Sequence, residues 1–497
     1  VQVVGMSTGT VTDLDGNFNL SVASNSTIVI SFIGYSDQEF HISKDNMVLN
    51  VNLKEDTEMI DEVVVVGYGV QKKENLTGSV AAVNFKDVAS MPVANTANML
   101  QGRLPGVMLT NNGAQAGHDS PEIRIRGVGT FEHNDPMVLI DGVESSVSQI
   151  AEIPADDIES VSVLKDAASA SIYGVRAANG VILVTTKRGG EQKPTITYSG
   201  SIALQEATVL PDYVNSYEWA KMYNECWPSK AYTDDMLQKL QNGSDPDHFA
   251  NTNWAKEMFR TAAMHQHHLS VNGGSKAVHY MISTQYFQQD GILRETANQR
   301  FNFRSNLDIN PIKGMLFNIL VSAAIDKNKA ANTGSEVAAA TNSVFNTLMT
   351  LPANAFPMFN KDGSLGGTSE YQTNPYGLLN RHGYRKDESR LLNVQVKGKY
   401  DLDMLLPGLS VDAYYGFENF NMQYLSINNT YAVFQENTDG TYTQFGKDEY
   451  KNSRSSAMMD GFYRYNTLGA GLNYNHTFRS VHDLAVRLFY NHSSDTV

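Results

Sequence analysis

At 497 residues the chain has room for about three domains at roughly 150 residues each, and its one cysteine, Cys226, excludes a disulfide scaffold or cysteine metal cluster and is expected to be a small buried filler. Its net charge of −15, from 38 basic and 53 acidic residues, argues against nucleic acid as a partner. Charged residues make up only 18%, against roughly 25% in ordinary soluble domains, tyrosine and phenylalanine number 24 and 21, and no apolar run is long enough for a membrane-spanning helix, which still leaves room for a membrane β-barrel.

The chain opens at Val1 inside a strand pattern, without a basic or apolar leader, and stops at Val497 just after another strand, so it is read as partial at both ends. Residues 1–54 carry short alternating runs at Thr8 to Thr12, Phe18 to Val22, Thr27 to Phe32, Gln38 to Ile42 and Met47 to Leu53, which predict a small β-sandwich. The Asp13-Leu14-Asp15-Gly16-Asn17 stretch has the residues of a tight turn and lacks the later ligands of a calcium loop.

An acidic connector leads to Asp61-Glu62-Val63-Val64-Val65-Val66-Gly67. Four valines have strong β-propensity on both faces, with no obvious sheet of their own nearby. They fit either an ordinary buried strand or a strand that adds itself to the sheet edge of another protein.

From Leu76 to about Gly190 the pattern is mixed α/β, with strands at Val107 to Thr110, Ile123 to Ile125, Met137 to Ile140, Ile158 to Leu164 and Val181 to Thr186, and helices at Thr96 to Gln101 and Ala167 to Tyr173. Beyond Lys193 the strands turn amphipathic. In Arg300 to Asn310, Phe301, Phe303, Leu307 and Ile309 fall on one face and Arg300, Asn302, Arg304, Asn306 and Asp308 on the other; Leu392 to Asp401 alternates in the same way. Further strands are expected near 195–205, 267–271, 278–288, 315–325, 409–419, 462–478 and 484–491, giving nine in all. Their connections alternate, short at 272–276, 311–314, 404–408 and 479–482, and long at 206–264, 290–299, 326–390 and 420–461. A membrane barrel sorts its loops in this way, with short periplasmic turns and long outer loops, and soluble sandwiches have no reason to.

The runs DEVVVVGYGVQKKENLTGSVAAV (61–83), LQGRLPGV (100–107), IRIRGVGTF (123–131), PMVLIDGV (136–143) and IESVSVLKDAASASIYGVRAANGVILVTTKRG (158–189) resemble SusC/RagA-type TonB-dependent outer-membrane transporters. The resemblance implies a mainly β chain: a carboxypeptidase-regulatory-like β-sandwich at 1–54, truncated at its start; a linker with a TonB box at 55–75; an α/β plug domain at 76–191; and the first part of a transmembrane β-barrel of about 22 strands at 192–497. It implies a Gram-negative outer-membrane location, with plug and N-terminal domain on the periplasmic side and long loops outside. It also implies active import of a bulky nutrient, an oligosaccharide first and a peptide as the alternative, or else a ligand-sensing receptor. The implied partners are TonB energised by ExbB and ExbD, a SusD-like surface lipoprotein, the imported ligand and outer-membrane lipid.

The expected TonB box is Asp61, Glu62, Val63, Val64, Val65, Val66 and Gly67. Arg124 and Arg126, two apart on one strand, are expected to hold the plug through ion pairs, with Asp141, Glu159 and Asp166 as candidate partners. Gly127, Gly142 and Gly174 are expected in turns with positive φ, since no phosphate-binding GxxxxGK sequence occurs. His118, Asp119, Phe131, Glu132, His133, Asn134 and Asp135, on the plug loops 111–122 and 129–135, combine an aromatic face with polar acceptors and are candidate ligand-facing residues. Alternation splits His265 and His267 from His268, so no metal is expected there, nor any cofactor. No nucleophile, base and orienter assemble at recognisable spacing, and an enzyme is not expected.

Overall fold

The structure is a computed structural model that describes all residues except 1, 4–9, 11, 14–15, 23–25, 33–34, 43–48, 50, 53–62, 67–68, 73–79, 86–90, 92, 112–114, 118, 120, 130, 132–133, 333–336, 451–453, 459–461, 479–481 and 497. The chain divides into two compact units, 1–79 and 80–497.

In the first unit β1 (Gln2–Val3), β2 (Thr27–Phe32) and β3 (Tyr35–His41) form an antiparallel sheet among the described residues. Ile28 and Ile30 are its buried centre, with Phe18, Leu20, Val22, Phe40, Ile42, Leu49 and Val51 packed around them. The run Phe18 to Val22 packs on this core without joining a ladder, so its alternation records one-sided burial alone. Parts of the expected strands 8–12 and 47–53 lie outside the described residues. The Asp13 turn is closed by Asn17 N–H donating to Asp13 Oδ1 at 2.7 Å and Gly16 N–H donating to Asp13 O at 3.1 Å.

The four valines form β4 (Val63–Val66), which pairs antiparallel with β5 (Gly69–Lys72) from Val63↔Lys72 to Val66↔Gly69. The segment thus has a ladder partner of its own, contrary to the expectation. Among the described residues β4 is bonded along one edge only.

The second unit begins with an α/β module. Its sheet runs β10 (Val143–Ser145), β9 (Met137–Ile140), β12 (Val181–Thr186), β11 (Ile158–Leu164) and β6 (Val80–Asn84), with β9 and β12 parallel and the other pairs antiparallel. β11 and β12 are buried nearly end to end, which is why they read as unbroken runs of Val, Ile and Leu. A hairpin of β7 (Val107–Asn111) and β8 (Pro121–Ile125) and the helix α1 (Val147–Glu152) complete the core around Phe85, Leu100, Ile123, Ile150 and Ile158. The two expected helices are tighter than an α-helix over much of their length. Thr96–Leu100 is 3₁₀, and after α2 (Ala167–Ala170) a 3₁₀ segment Ser171–Ala177 is kinked at Gly174.

The rest is one open antiparallel sheet in chain order: β13 (Thr195–Gln205), β14 (Ala262–Ser275), β15 (Val278–Asp290), β16 (Ala297–Ile309), β17 (Met315–Ala331), β18 (Gly383–Asp401), β19 (Leu409–Asn428), β23 (Tyr463–Phe478) and β24 (His482–Thr496). β22 (Arg454–Met458) pairs beside β19, and β20 (Val433–Glu436) with β21 (Tyr442–Phe445) makes a separate hairpin. β13 and β24 are the two edges, and the sheet does not close on itself. Several strands run well past the expected ends. β17, β18 and β19 stay paired as far as Ala331↔Tyr384 and Gly383↔Asn428, because backbone pairing continues where the side-chain alternation fades.

Strict alternation of loop length has one exception. The 291–296 connection is no longer than 402–408, since β15 and β16 extend to Asp290↔Ala297. The long connections are also not merely polar insertions. They carry α3 (Ser216–Cys226), α4 (Asp234–Asn242), α5 (Trp254–Met258), α6 (Val337–Thr350) and α7 (Pro375–Asn380). Cys226, the last residue of α3, is exposed and not a buried filler, because α3 turns its Ser216 and Ala220 face inward.

Candidate functional site

The large sheet reverses the usual sense of burial. On β16, Phe301 is 47% exposed while its neighbour Asn302 is 6% exposed, and Phe303 lies outward while Arg304 and Asn306 are buried. Ile202, Leu269, Ile282, Leu392, Val411, Leu468 and Leu488 on the other strands are likewise exposed, and His268, Ser283, Asn393, Asp412, Glu418 and Thr467 are buried. A sheet in water hides its apolar face; this one presents it outward and covers its polar face, as a wall between lipid and a filled lumen does.

The polar face is covered by the α/β module, and the seam between them is the candidate site. At its centre Asp157, 1% exposed, accepts from His268 Nε2 and from Ser283 Oγ, each at 2.8 Å. Next to it Ser199 Oγ donates to Asp156 Oδ2 at 2.6 Å. Three side chains of β16 reach carbonyl oxygens of the module. Arg300 donates to Ala151 O at 2.6 Å and Ala94 O at 3.0 Å, Asn302 to Glu152 O, and Asn306 to Lys187 O at 2.7 Å. Farther round, Gln149 Nε2 donates to Glu418 Oε1 at 2.7 Å, and Glu418 also accepts from Tyr463 OH at 3.0 Å and Asn393 at 3.1 Å. Gly189 leaves no room for a side chain, since a Cβ there would lie 2.4 Å from the backbone of Tyr280 on β15. Glu152 lies half-buried on this seam; burial pushes its carboxyl up to about 7 against the opposing pull of the Arg300 guanidinium.

Asp141 and Gly142, at φ 51° and 86°, form the two-residue turn between β9 and β10. Asp141 accepts from Thr186 N–H at 3.0 Å and Thr186 Oγ1 at 2.7 Å, and Arg304 Nη1 of the large sheet lies 3.6 Å from its Oδ2. Gly127 and Gly174 also have positive φ, 96° and 70°. Arg124 meets Asp135 and, at 3.3 Å, Glu122, and these replace the three carboxylates expected for it. Asp166 instead caps α2 by accepting from Ser169 N–H at 3.0 Å. Arg126 is not on the same face of the strand as Arg124: β8 ends at Ile125, and Arg126 is exposed beyond it at φ 59°.

Of the candidate ligand-facing residues, His118, Glu132 and His133 lie outside the described residues, as do Asp61, Glu62 and Gly67 of the expected box. Asn134 is buried and accepts from Gly129 N–H at 2.8 Å, and Asp135 is the partner of Arg124, so both hold the loop together. Phe131 is fully exposed. Asp119 is half-buried; burial raises its carboxyl above the usual range, opposed by Arg300. His268 is the seam residue described above, and His267 Nδ1 lies 2.7 Å from Tyr198 OH on the opposite side. The sequence reading missed Asp157, His268, Arg300 and Asn302 as anchors, although the polar register of β16 had already placed Arg300 and Asn302 together.

Residues 72–181 match the model of the TonB-dependent receptor plug domain, and residues 1–65 that of the CarboxypepD_reg-like domain. The TonB-dependent receptor SusC of Bacteroides thetaiotaomicron is 38% identical over 351 residues, which cover 68% of this chain and 33% of that protein. The TonB-dependent receptor P26 of Formosa agariphila is 33% identical over 383 residues, 76% of this chain and 36% of its own. The chain therefore spans about a third of the length of these relatives. In fold it is similar to the RagAB peptide importer in its open-open state, with a TM-score of 0.68 at 22% identity over 87% of this chain and 50% of that one. The chain belongs to the SusC/RagA-type TonB-dependent outer-membrane transporters, a transport family and not an enzyme family.

Proposed function

We propose that the chain contributes plug and wall to a pore that imports a bulky nutrient across the outer membrane, driven by TonB with ExbB and ExbD. The reversed burial of the large sheet, filled by the α/β module, is the observation that carries this reading. In it, residues 1–54 are the periplasmic accessory domain, 55–75 the linker with the TonB box, 76–191 the plug, and 192–497 nine strands of a barrel of about 22, the closure of which removes the bare edges of β13 and β24. The short connections face the periplasm and the long ones the exterior, where a SusD-like lipoprotein closes the mouth. TonB adds to the box as a strand, using the free edge of β4 or displacing β5.

For the nutrient we favour a peptide over the oligosaccharide first expected. The RagAB peptide importer shares this fold, and two of the loop acceptors that had favoured a sugar are spent inside the loop. The test is a gene deletion in the host, complemented with the natural gene, with uptake of fluorescent peptides and of oligosaccharides measured side by side. Peptide uptake lost on deletion and restored by the gene supports the reading. Loss of oligosaccharide uptake alone refutes the peptide, and unchanged uptake with a lost transcriptional response to ligand points to a sensing receptor.

A further inference from the structure

The long connections between strands pack on one another around Trp254, Met258, Val344, Leu348, Phe356 and Leu379. Beside this core lies a cavity of about 180 Å³, where the segment before α3, the segment before α5 and the end of α6 with the residues after it converge. Its apolar lining is Val214, Trp254, Leu348, Leu351 and Ala353. The Trp254 N–H is already given to Pro352 O at 3.3 Å, so the indole offers the cavity only apolar surface. Tyr213, also in the lining, donates from its hydroxyl to Met349 Sδ, which ties the first segment to α6.

The remaining lining is polar: Thr252, whose hydroxyl donates to Phe356 O at 3.2 Å, and three asparagines. Asn215, Asn251 and Asn253 are exposed, so the cavity opens to solvent on their side. Each has its carbonyl oxygen occupied. Asn215 Oδ1 accepts from Glu218 N–H at 2.9 Å, Asn251 Oδ1 from Ser216 N–H and Oγ at 3.1 Å, and Asn253 Oδ1 from Lys256 N–H at 3.0 Å. These carboxamides keep their NH₂ groups as donors, and the Asn215 and Asn253 oxygens, with one bond each, keep a second lone pair.

We propose that this cavity is a specificity pocket for one apolar side chain of a peptide, with the peptide's carbonyl oxygens accepting from the three asparagines. The size fits, since an apolar cavity of about 150 Å³ takes a benzene ring. The lining separates the ligand classes: a Leu or Phe side chain meets Val214, Leu348 and Leu351 with no polar group left unpaired, whereas a sugar ring set there would bury hydroxyls against them. The inference rests on the peptide reading of the transporter and adds to it which part of the peptide is selected, and where.

The test uses the receptor purified in detergent from the host outer membrane, titrated calorimetrically with the pentapeptides Gly-Gly-X-Gly-Gly, X being Leu, Phe, Ala or Asp, and with maltopentaose. Leu and Phe peptides should bind at least about tenfold more tightly than Ala, and Asp the least. Ala353→Phe, which fills the cavity from the α6 side, should erase that preference, and so should Val214→Trp from the facing segment, so that a folding defect in one variant does not decide the matter. A Leu and Phe preference that survives in both variants overturns the pocket and leaves the peptide reading standing. Binding of maltopentaose and of no pentapeptide overturns both.

Discussion

Asp157→Ala should loosen the plug from the wall by about 3 kcal/mol. The carboxylate is buried and accepts from His268 and Ser283, both themselves buried, and alanine would leave two donors without a partner. An orphaned buried donor costs roughly 1–3 kcal/mol, and part of the sum returns because a buried carboxylate no longer has to be desolvated. Hydrogen exchange of the β11 amides, Ser160 to Leu164, reads the result, since these pair between β12 and β6 just beyond the anchor. Protection should fall roughly a hundredfold, at about 1.4 kcal/mol for each factor of ten. In a double-mutant cycle, most of the effect should vanish when His268 is already alanine. A fall smaller than threefold, or an equal fall in the His268→Ala background, would show that the anchor does not hold the plug.

Val65→Pro removes a backbone donor from the β4 ladder and should abolish energised uptake while leaving ligand affinity within about twofold; transport at the natural rate would sink the TonB-box assignment. Gly189→Ala sets a Cβ against the Tyr280 backbone, which cannot yield as a side chain can, and should cut the yield of heat-modifiable receptor; a normal yield counts against a tight seam there. Glu152, with its pKa raised to about 7 by burial, binds a proton more readily in the folded plug than in the unfolded chain. Its contribution is therefore retained below its ordinary range and lost as pH rises toward 7. Glu152→Gln should stabilise the plug by on the order of 2 kcal/mol at pH 8 and hardly at all at pH 4, and equal effects at both would refute the burial argument.

The strands were legible because period two survives any long-range detail. Phe301 against Asn302 could be assigned to opposite faces from spacing alone, and the structure shows what spacing could not, that the polar member is the buried one. The helices of the long connections carried a signal that was passed over. Asn215 with Glu218 is a capping box, and Thr233 caps α4 before Asp234 and Asp235. The seam was legible only in part. Asp157 and His268 stand 111 residues apart, and no local pattern says which of many carboxylates faces which imidazole. For Arg124 the reading looked to neighbouring elements, whereas its partners are on its own strand and the adjoining loop.

The wall's grip on the plug has an evolutionary side. Arg300, Asn302 and Asn306 hold carbonyl oxygens of Ala94, Ala151, Glu152 and Lys187, so at these bonds they recognise the path of the main chain, with Thr186 Oγ1 the one plug side chain that Asn306 also meets. Replacing any of those four plug side chains leaves the gripped atom in place, while replacing one of the three wall side chains removes the grip. Mutational tolerance at this joint is therefore lopsided. A plug that follows the same path can drift at those four positions and still be gripped there, while Asp157 and Gln149, whose side chains meet the wall, are not free to change.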